Sequence, residues 1–185
     1  MAPLLYVQLS GIPGTGKTTL QGSLVRAIPN AVAIDKDYDM AYFGEHLPDL
    51  QGDDLAEAAY GRALGRADDA LRSGRSVIFD SPLYREFVAA GGARVAAARG
   101  AEYRVVELRC ADRQTLQARL DGRPSRNYPA NADLSQPSAV PEGAPHLIID
   151  TTDLTKAEVL TKATEWLGLS RVPERTAPQD LSRGL

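Results

Sequence analysis

Gly11-Ile12-Pro13-Gly14-Thr15-Gly16-Lys17-Thr18 is the stretch on which the reading of this chain turns. Gly11, Gly14 and Gly16 permit backbone conformations with positive φ, so that successive N–H groups can converge on one anion. Lys17 adds an ammonium group with the reach for the outer phosphates of a triphosphate, and the Thr18 hydroxyl is a hard oxygen ligand suited to magnesium. Upstream, residues 4–9 form a short apolar run that reads as a buried strand. Downstream, Leu20, Leu24 and Ile28 recur at helical spacing until Pro29-Asn30 ends the pattern. The eight residues therefore join a strand to a helix, whose first turn presents the positive end of its dipole. That context separates a phosphate cradle from a mere glycine-rich turn. The pattern is the Walker A motif, and Pro13, Thr15 and Thr19 complete the candidate nucleotide contacts.

The rest of the chain alternates in the same way. Residues 31–34 are a second short strand, and residues 38–52 mix aromatics, Gly, Pro and charges as an irregular loop or short helices would. Asp53 or Asp54 can cap a long helix to about residue 72, with Leu55, Ala59, Leu64 and Leu71 inward. Residues 75–79 make a strand that runs into Asp80. A helix over residues 85–99 is expected, although Gly91-Gly92 costs about 1 kcal/mol per glycine relative to alanine. Residues 102–109 form a strand, and Asp112 caps a helix that contains Leu116 and Leu120. From 122 to 145 the periodicity disappears and five of the twelve prolines gather (Pro124, Pro129, Pro137, Pro141, Pro145), the composition of a functional lid. A last strand at residues 146–149 and a last helix at 155–167 precede a polar tail over 170–185.

Strands alternating with helices predict an α/β fold with a parallel sheet covered on both faces. Ligands of such sheets collect at the carboxyl ends of the strands. Those ends are Gly11, Asp35, Asp80, Cys110 and Asp150, and three of the five are acidic, as a magnesium nucleotide site requires.

The 185 residues suit one domain, and an apolar fraction of 43% supplies its core. A net charge of −3, with both signs mixed through 24% charged residues, gives no general nucleic-acid surface. A single cysteine, Cys110, excludes an internal disulfide and reads as a buried structural thiol at the end of an apolar run. His46 and His146 stand far from it and from each other, so zinc has no ligand set. No apolar run approaches a membrane span, and the first residues lack a basic, apolar leader. The expectation is a soluble, cytoplasmic protein with no membrane partner; the sequence assigns no oligomeric state.

The succession GIPGTGKTTL (11–20), AIDKDYD (33–39), SVIFDSPLYRE (76–86) and RCADRQTLQARLDGRPSR (109–126) resembles the small P-loop kinases. That group includes an AAA-like ATP-binding domain, zeta toxin, polynucleotide 5′-kinase, and chloramphenicol and gluconate kinases. The resemblance covers roughly residues 4–168. It implies a P-loop NTPase three-layer sandwich with a five-stranded parallel sheet in the order 2-3-1-4-5, helices on both faces, and an Arg-bearing lid at about 122–145. The kinase domain would span 1–169 and the tail 170–185. It also implies ATP and Mg2+ as cofactors and transfer of the γ-phosphoryl group to a hydroxyl of a small acceptor, a metabolite or an antibiotic. In these relatives an aspartate just after strand two contacts the acceptor. Asp37 is the better match as the base, with Asp35 as base or magnesium-linked acid the alternative. Asp80 resembles a Walker B carboxylate that would share the metal with Thr18. Arg119, Arg123 and Arg126 resemble lid-side arginines that close on the nucleotide, with Arg123 in a catalytic role beside Lys17. Arg85, Tyr38, Tyr42 and Tyr60 are the candidate acceptor contacts. The alternatives are a polynucleotide 5′-hydroxyl kinase-like enzyme or an ATPase module without a small acceptor. Nucleic acid is the less expected partner because residues 35–60 carry more acids than bases. ATP is expected over GTP because no Asn-Lys-x-Asp guanine motif occurs.

Overall fold

The computed structural model describes residues 3–81, 85–122 and 139–169. Strand β1 (Leu5–Ser10) is buried along all six residues because it lies in the middle of the sheet. The other strands are β2 (Val32–Asp35), β3 (Val77–Asp80), β4 (Glu102–Arg109) and β5 (His146–Asp150). All neighbours are parallel and the order is β2-β3-β1-β4-β5, as expected from the family resemblance.

Strand alternation sends the side chains of β1 to two different cores. Leu5, Val7 and Leu9 pack with Leu20 and Leu24 of helix α1 (Lys17–Ala27) and with Val159 and Ala163 of helix α6 (Lys156–Trp166). Tyr6 points the other way. It packs with Tyr60, Ala63 and Ala67 of helix α3 (Gly52–Arg72) and Val88 of helix α4 (Glu86–Ala98). Helices therefore cover both faces. Burying each aliphatic side chain of this kind stabilises the fold by about 1.5–3 kcal/mol, so the strand that carries the cradle is anchored from two sides. The remaining helices are α2 (Asp37–His46) and α5 (Arg113–Asp121).

Helix ends follow local chemistry. Asp112 accepts from the backbone N–H groups of Gln114 and Thr115 and caps α5. Thr155 and Glu158 form a reciprocal capping box at the start of α6. At α3 the expectation needs correcting. Gln51 is the N-cap and makes no side-chain cap, while Asp53 and Asp54 lie inside the first turn, where carboxylates meet the positive end of the helix.

Three further readings are refined. Of the irregular loop or short helices expected over residues 38–52, the structure has a helix, Asp37–His46, continuous over ten residues. It had no readable stripe because the one residue it buries is an aspartate, Asp39. Gly91 and Gly92 prove to be a packing device in α4. A Cβ on Gly91 would stand 2.7 Å from Leu64 Cδ1, and one on Gly92 would stand 3.0 Å from the Tyr6 hydroxyl and 3.1 Å from the Tyr103 ring. Losing two side chains lets α4 approach the sheet and α3, which offsets the helix propensity that the glycines forgo. Cys110 is half-buried rather than buried, with its Sγ 3.4 Å from the Asp112 carbonyl oxygen.

Candidate active site

β1 ends at Ser10, and the backbone then turns through Gly11, Gly14 and Gly16 at φ values of 135°, 91° and 99°. The three glycines are required for different reasons. A Cβ on Gly11 would overlap the Leu108 carbonyl oxygen of β4, and one on Gly14 would stand 2.7 Å from Leu116 Cδ1 of α5. At Gly16 the neighbourhood is open, with nothing within 4 Å of such a Cβ, so only the backbone conformation demands glycine there. Gly16 is also the N-cap of α1, and neither a capping side chain nor a first-turn acid neutralises that helix end. The loop is braced from within by the Thr15 hydroxyl, which donates to the Ile12 carbonyl at 2.8 Å, while Pro13 sits at its half-buried outer turn. The Lys17 ammonium donates across the loop to the same carbonyl at 3.2 Å. Thr19 is exposed in the first turn of α1.

The parallel register brings the acids to this cradle. Asp35 and Asp80 are direct partners across β2 and β3, and Leu9 pairs with Asp80 across β1 and β3. The Thr18 hydroxyl donates to Asp80 Oδ2 at 3.0 Å, so the two residues expected to share a cation are already in contact. Burial pushes the Asp80 carboxyl above the usual carboxylate range; Lys17 and the Thr18 hydrogen bond pull it down, and the charges of Asp35 and Asp37 push it up. The donors present fit a triphosphate with a divalent cation: a ring of glycine amides, one ammonium, one hydroxyl and one strand-end carboxylate. Among the described residues no group of three or more His, Cys, Asp or Glu could hold a metal alone. Thr18 and Asp80 would thus share the ion with phosphate oxygens, the way protein sites usually take magnesium.

Asp35 and Asp37 differ in their surroundings. Asp35 Oδ1 accepts from the Tyr38 amide at 3.1 Å and so serves the start of α2. Asp37 is exposed and pairs with the neighbouring Lys36 at 2.8 Å. Beside them lies a cluster that sequence reasoning missed. Asp39 is wholly buried and meets Arg66 at 2.8 Å and Arg62 at 3.4 Å, both from α3. The only sequence signal was the spacing of the two arginines, four apart on a helix whose neighbouring turns are lined with alanine.

The remaining candidates take varied places. Arg119 donates to Thr151 Oγ1 at 3.0 Å and to the Thr151 carbonyl at 2.7 Å, fixing the loop after β5. Thr151 Oγ1 in turn lies 3.3 Å from the Thr15 carbonyl and 2.9 Å from that of Arg109, so Arg119 reaches the cradle through Thr151. Arg85 pairs with Asp53 at the start of α3. Tyr38 and Tyr42 are exposed, and their rings lie against guanidinium groups, Arg66 5.0 Å from the Tyr38 centroid and Arg62 3.8 Å from that of Tyr42. Tyr60 is corrected from a pocket wall to a core residue. It is 0% exposed, with the Phe87 ring at 5.8 Å and the Lys36 ammonium at 6.0 Å covering it. Arg123 and Arg126 lie outside the described residues, as does most of the expected lid and the tail over 170–185.

Comparison with known proteins agrees with this fold. A family model described as an AAA domain matches residues 7–142, from the first strand through the cradle, the acids and α5. The chain belongs to this AAA domain family. Among solved structures, this AAA-domain chain is similar to an unliganded sugar kinase from Janibacter sp., with a TM-score of 0.67 at 16% identity over 91% of this chain and 96% of that one. It is also similar to the APS kinase of Mycobacterium tuberculosis in complex with AMPPNP and APS, with a TM-score of 0.64 at 19% identity over 91% and 99%. The tunicamycin resistance protein of Deinococcus radiodurans matches with a TM-score of 0.64 at 15% identity over 94% and 99%. At these identities the likeness is one of fold, the P-loop kinase-like sandwich. No curated protein matches the sequence. No described helix of this AAA domain is long and apolar enough to cross a membrane.

Proposed function

We propose that the chain is an ATP-dependent phosphotransferase that moves the γ-phosphoryl group of magnesium-bound ATP to a hydroxyl of a small acceptor in the cytoplasm. The observation that carries this reading is the Thr18–Asp80 contact at the mouth of the glycine cradle, with Asp35 in register beside Asp80. A cradle and a cation site alone would serve any nucleotide switch. A further pair of acids after β2, on the side away from β4, suits a reaction with a second substrate.

Bound Mg-ATP supplies the electrophilic phosphorus and the charge that stabilises its leaving group. The cradle amides and Lys17 hold the phosphate chain and stabilise charge that develops during transfer. Thr18 and Asp80 hold the cation. Asp37, exposed and oriented by Lys36, takes the proton of the acceptor hydroxyl, and Asp35 keeps the first turn of α2 in place. Arg123 and Arg126 are assigned to the closing lid and Arg85 to the acceptor side. The fold neighbours that are named kinases support this reaction class.

The test is release of ADP from Mg-ATP across a panel of nucleosides, sugars, polyols and antibiotics. One compound should raise the rate, and Asp37→Asn should reduce that stimulated rate on the order of a hundredfold with ATP affinity retained. A flat response across the panel, or a stimulated rate untouched by Asp37→Asn, sinks the reading.

A further inference from the structure

We propose that Asp39, gripped by Arg62 and Arg66, is a positioning residue that sets the orientation of Asp37 on the acceptor side of the site. The inference rests on the reading of Asp37 as the group that meets the acceptor.

Helices normally dock by an apolar stripe that buries several side chains per two turns. α2 has none, and Asp39 is its sole buried residue. The side chain is 0% exposed, although aspartate is almost never fully buried unless paired. Its partners come from one helix, Arg66 with Nη2 at 2.8 Å from Oδ2 and Arg62 with Nε at 3.4 Å from Oδ1. Arg66 does more than pair. The same Nη2 donates to the Asp35 carbonyl oxygen at 2.7 Å. One planar guanidinium therefore holds the last residue of β2 and the first turn of α2 together, and Asp37 lies between those two points. The tyrosine rings of α2 lie against the same guanidinium groups and restrict their movement.

Stability does not explain this cluster. A buried ion pair is a poor stabiliser beside an apolar contact of the same size, and its best-attested use is to fix register. The fit here is also incomplete, since Asp39 Oδ1, Arg62 Nη1 and Arg66 Nε are buried without a hydrogen bond among the described residues. Burial raises the Asp39 carboxyl above its usual range despite the pull of Arg66 and Arg62, so the ionised form is held at a cost. Geometry is what the cluster secures. Each residue step turns a helix by about 100°, and a slip of α2 by one position would swing Asp37 through that angle.

The test uses the full chain and two readouts. Hydrogen exchange in the presence of magnesium and AMPPNP reports the anchoring of residues 35–46, and hydrolysis of Mg-ATP, with water as the hydroxyl acceptor, reports the chemistry. Asp39→Asn should raise exchange across 35–46 at least tenfold and leave peptides of β1 and α1 protected. It should lower kcat at least tenfold with KM for ATP within twofold. Combined with Asp37→Asn it should add no further loss, because both changes remove one function. Arg66→Lys, which keeps the charge but not the planar fork, should give an intermediate result and serves if Asp39→Asn does not fold. Unchanged exchange over 35–46, or losses that multiply in the double variant, would overturn the proposal. If Asp37→Asn alone hydrolyses ATP at the parental rate, it is the assignment of the base that falls, and the exchange result still decides whether Asp39 anchors the segment.

Discussion

The two sides of the site are built on opposite principles. The cradle is made by eight contiguous residues whose shape lies in the backbone, with glycines at 11, 14 and 16 and side chains mainly bracing it. The acid side is assembled from β2, α2 and α3, where Asp35, Asp39, Arg62 and Arg66 meet only after the chain has folded back some thirty residues. A local backbone device is set by its glycines, and its surroundings, Leu108 of β4 and Leu116 of α5, leave no room for a side chain at two of them. A dispersed ionic device can be re-tuned residue by residue, which suits the acceptor side of the proposed phosphotransferase.

Substitutions can break that contrast, beginning where the expected effect is greatest. Gly11→Ala places a methyl group on the Leu108 carbonyl and forces a residue with a side chain into a glycine conformation. Backbone strain of about 1–3 kcal/mol and a similar overpacking cost should show as a large loss of stability in chemical denaturation. A fold as stable as the parent would mean that the cradle is less rigid than described. Lys17→Ala removes a charge and its 3.2 Å contact with the Ile12 carbonyl but leaves the glycine conformations unstrained. Turnover should fall by about 10²–10³-fold, with the denaturation midpoint held and binding of Mg-AMPPNP weakened in calorimetry. Equal turnover would dissolve the distinction between frame and charge.

The smallest effect runs in the other direction. Asp80 has its folded-state pKa raised, chiefly by burial, so its contribution favours the fold at pH below the unfolded value and is lost as pH rises through the folded value. At neutral pH the ionised acid therefore destabilises the nucleotide-free protein. Asp80→Asn should raise Tm at pH 7, and the gap should close as pH is lowered toward the ordinary aspartate range. Added Mg-ATP should stabilise the parent more than the variant. A variant less stable than the parent at neutral pH, without nucleotide, would show that the Asp80 charge supports the fold and not the ligand.

Legibility from sequence followed the same division. Residues 11–18 declared their conformation because glycine spacing, a preceding apolar strand and a following helical stripe are all local patterns. The strand ends Asp35 and Asp80 were visible for the same reason, and the sheet order came from the family resemblance. α2 was legible only as one of two alternatives, loop or short helices, since a helix docked through Asp39 carries no apolar period to detect. Tyr60 was misplaced because an aromatic at the mouth of a site and one beneath it look alike in sequence. Here the difference is made by Lys36 and Phe87, which lie over the Tyr60 ring from two other elements. The glycine pair in α4 read as a weakness because its benefit lies in contacts with Leu64, Tyr6 and Tyr103, from α3, β1 and β4.

The central place of β1 also bears on how the molecule is made. Its hydrogen-bonded neighbours are β3 and β4, whose paired residues Val77 and Glu102 lie far along the chain from Tyr6 and Leu5. Gly11 is seated against the Leu108 carbonyl and Gly14 against Leu116. On a ribosome, the nucleotide motif thus emerges before β3, β4 and α5, the elements that wall it. Until α5 has been synthesised, the growing polypeptide carries that motif without the frame that shapes it, so nucleotide cannot act as an early folding template.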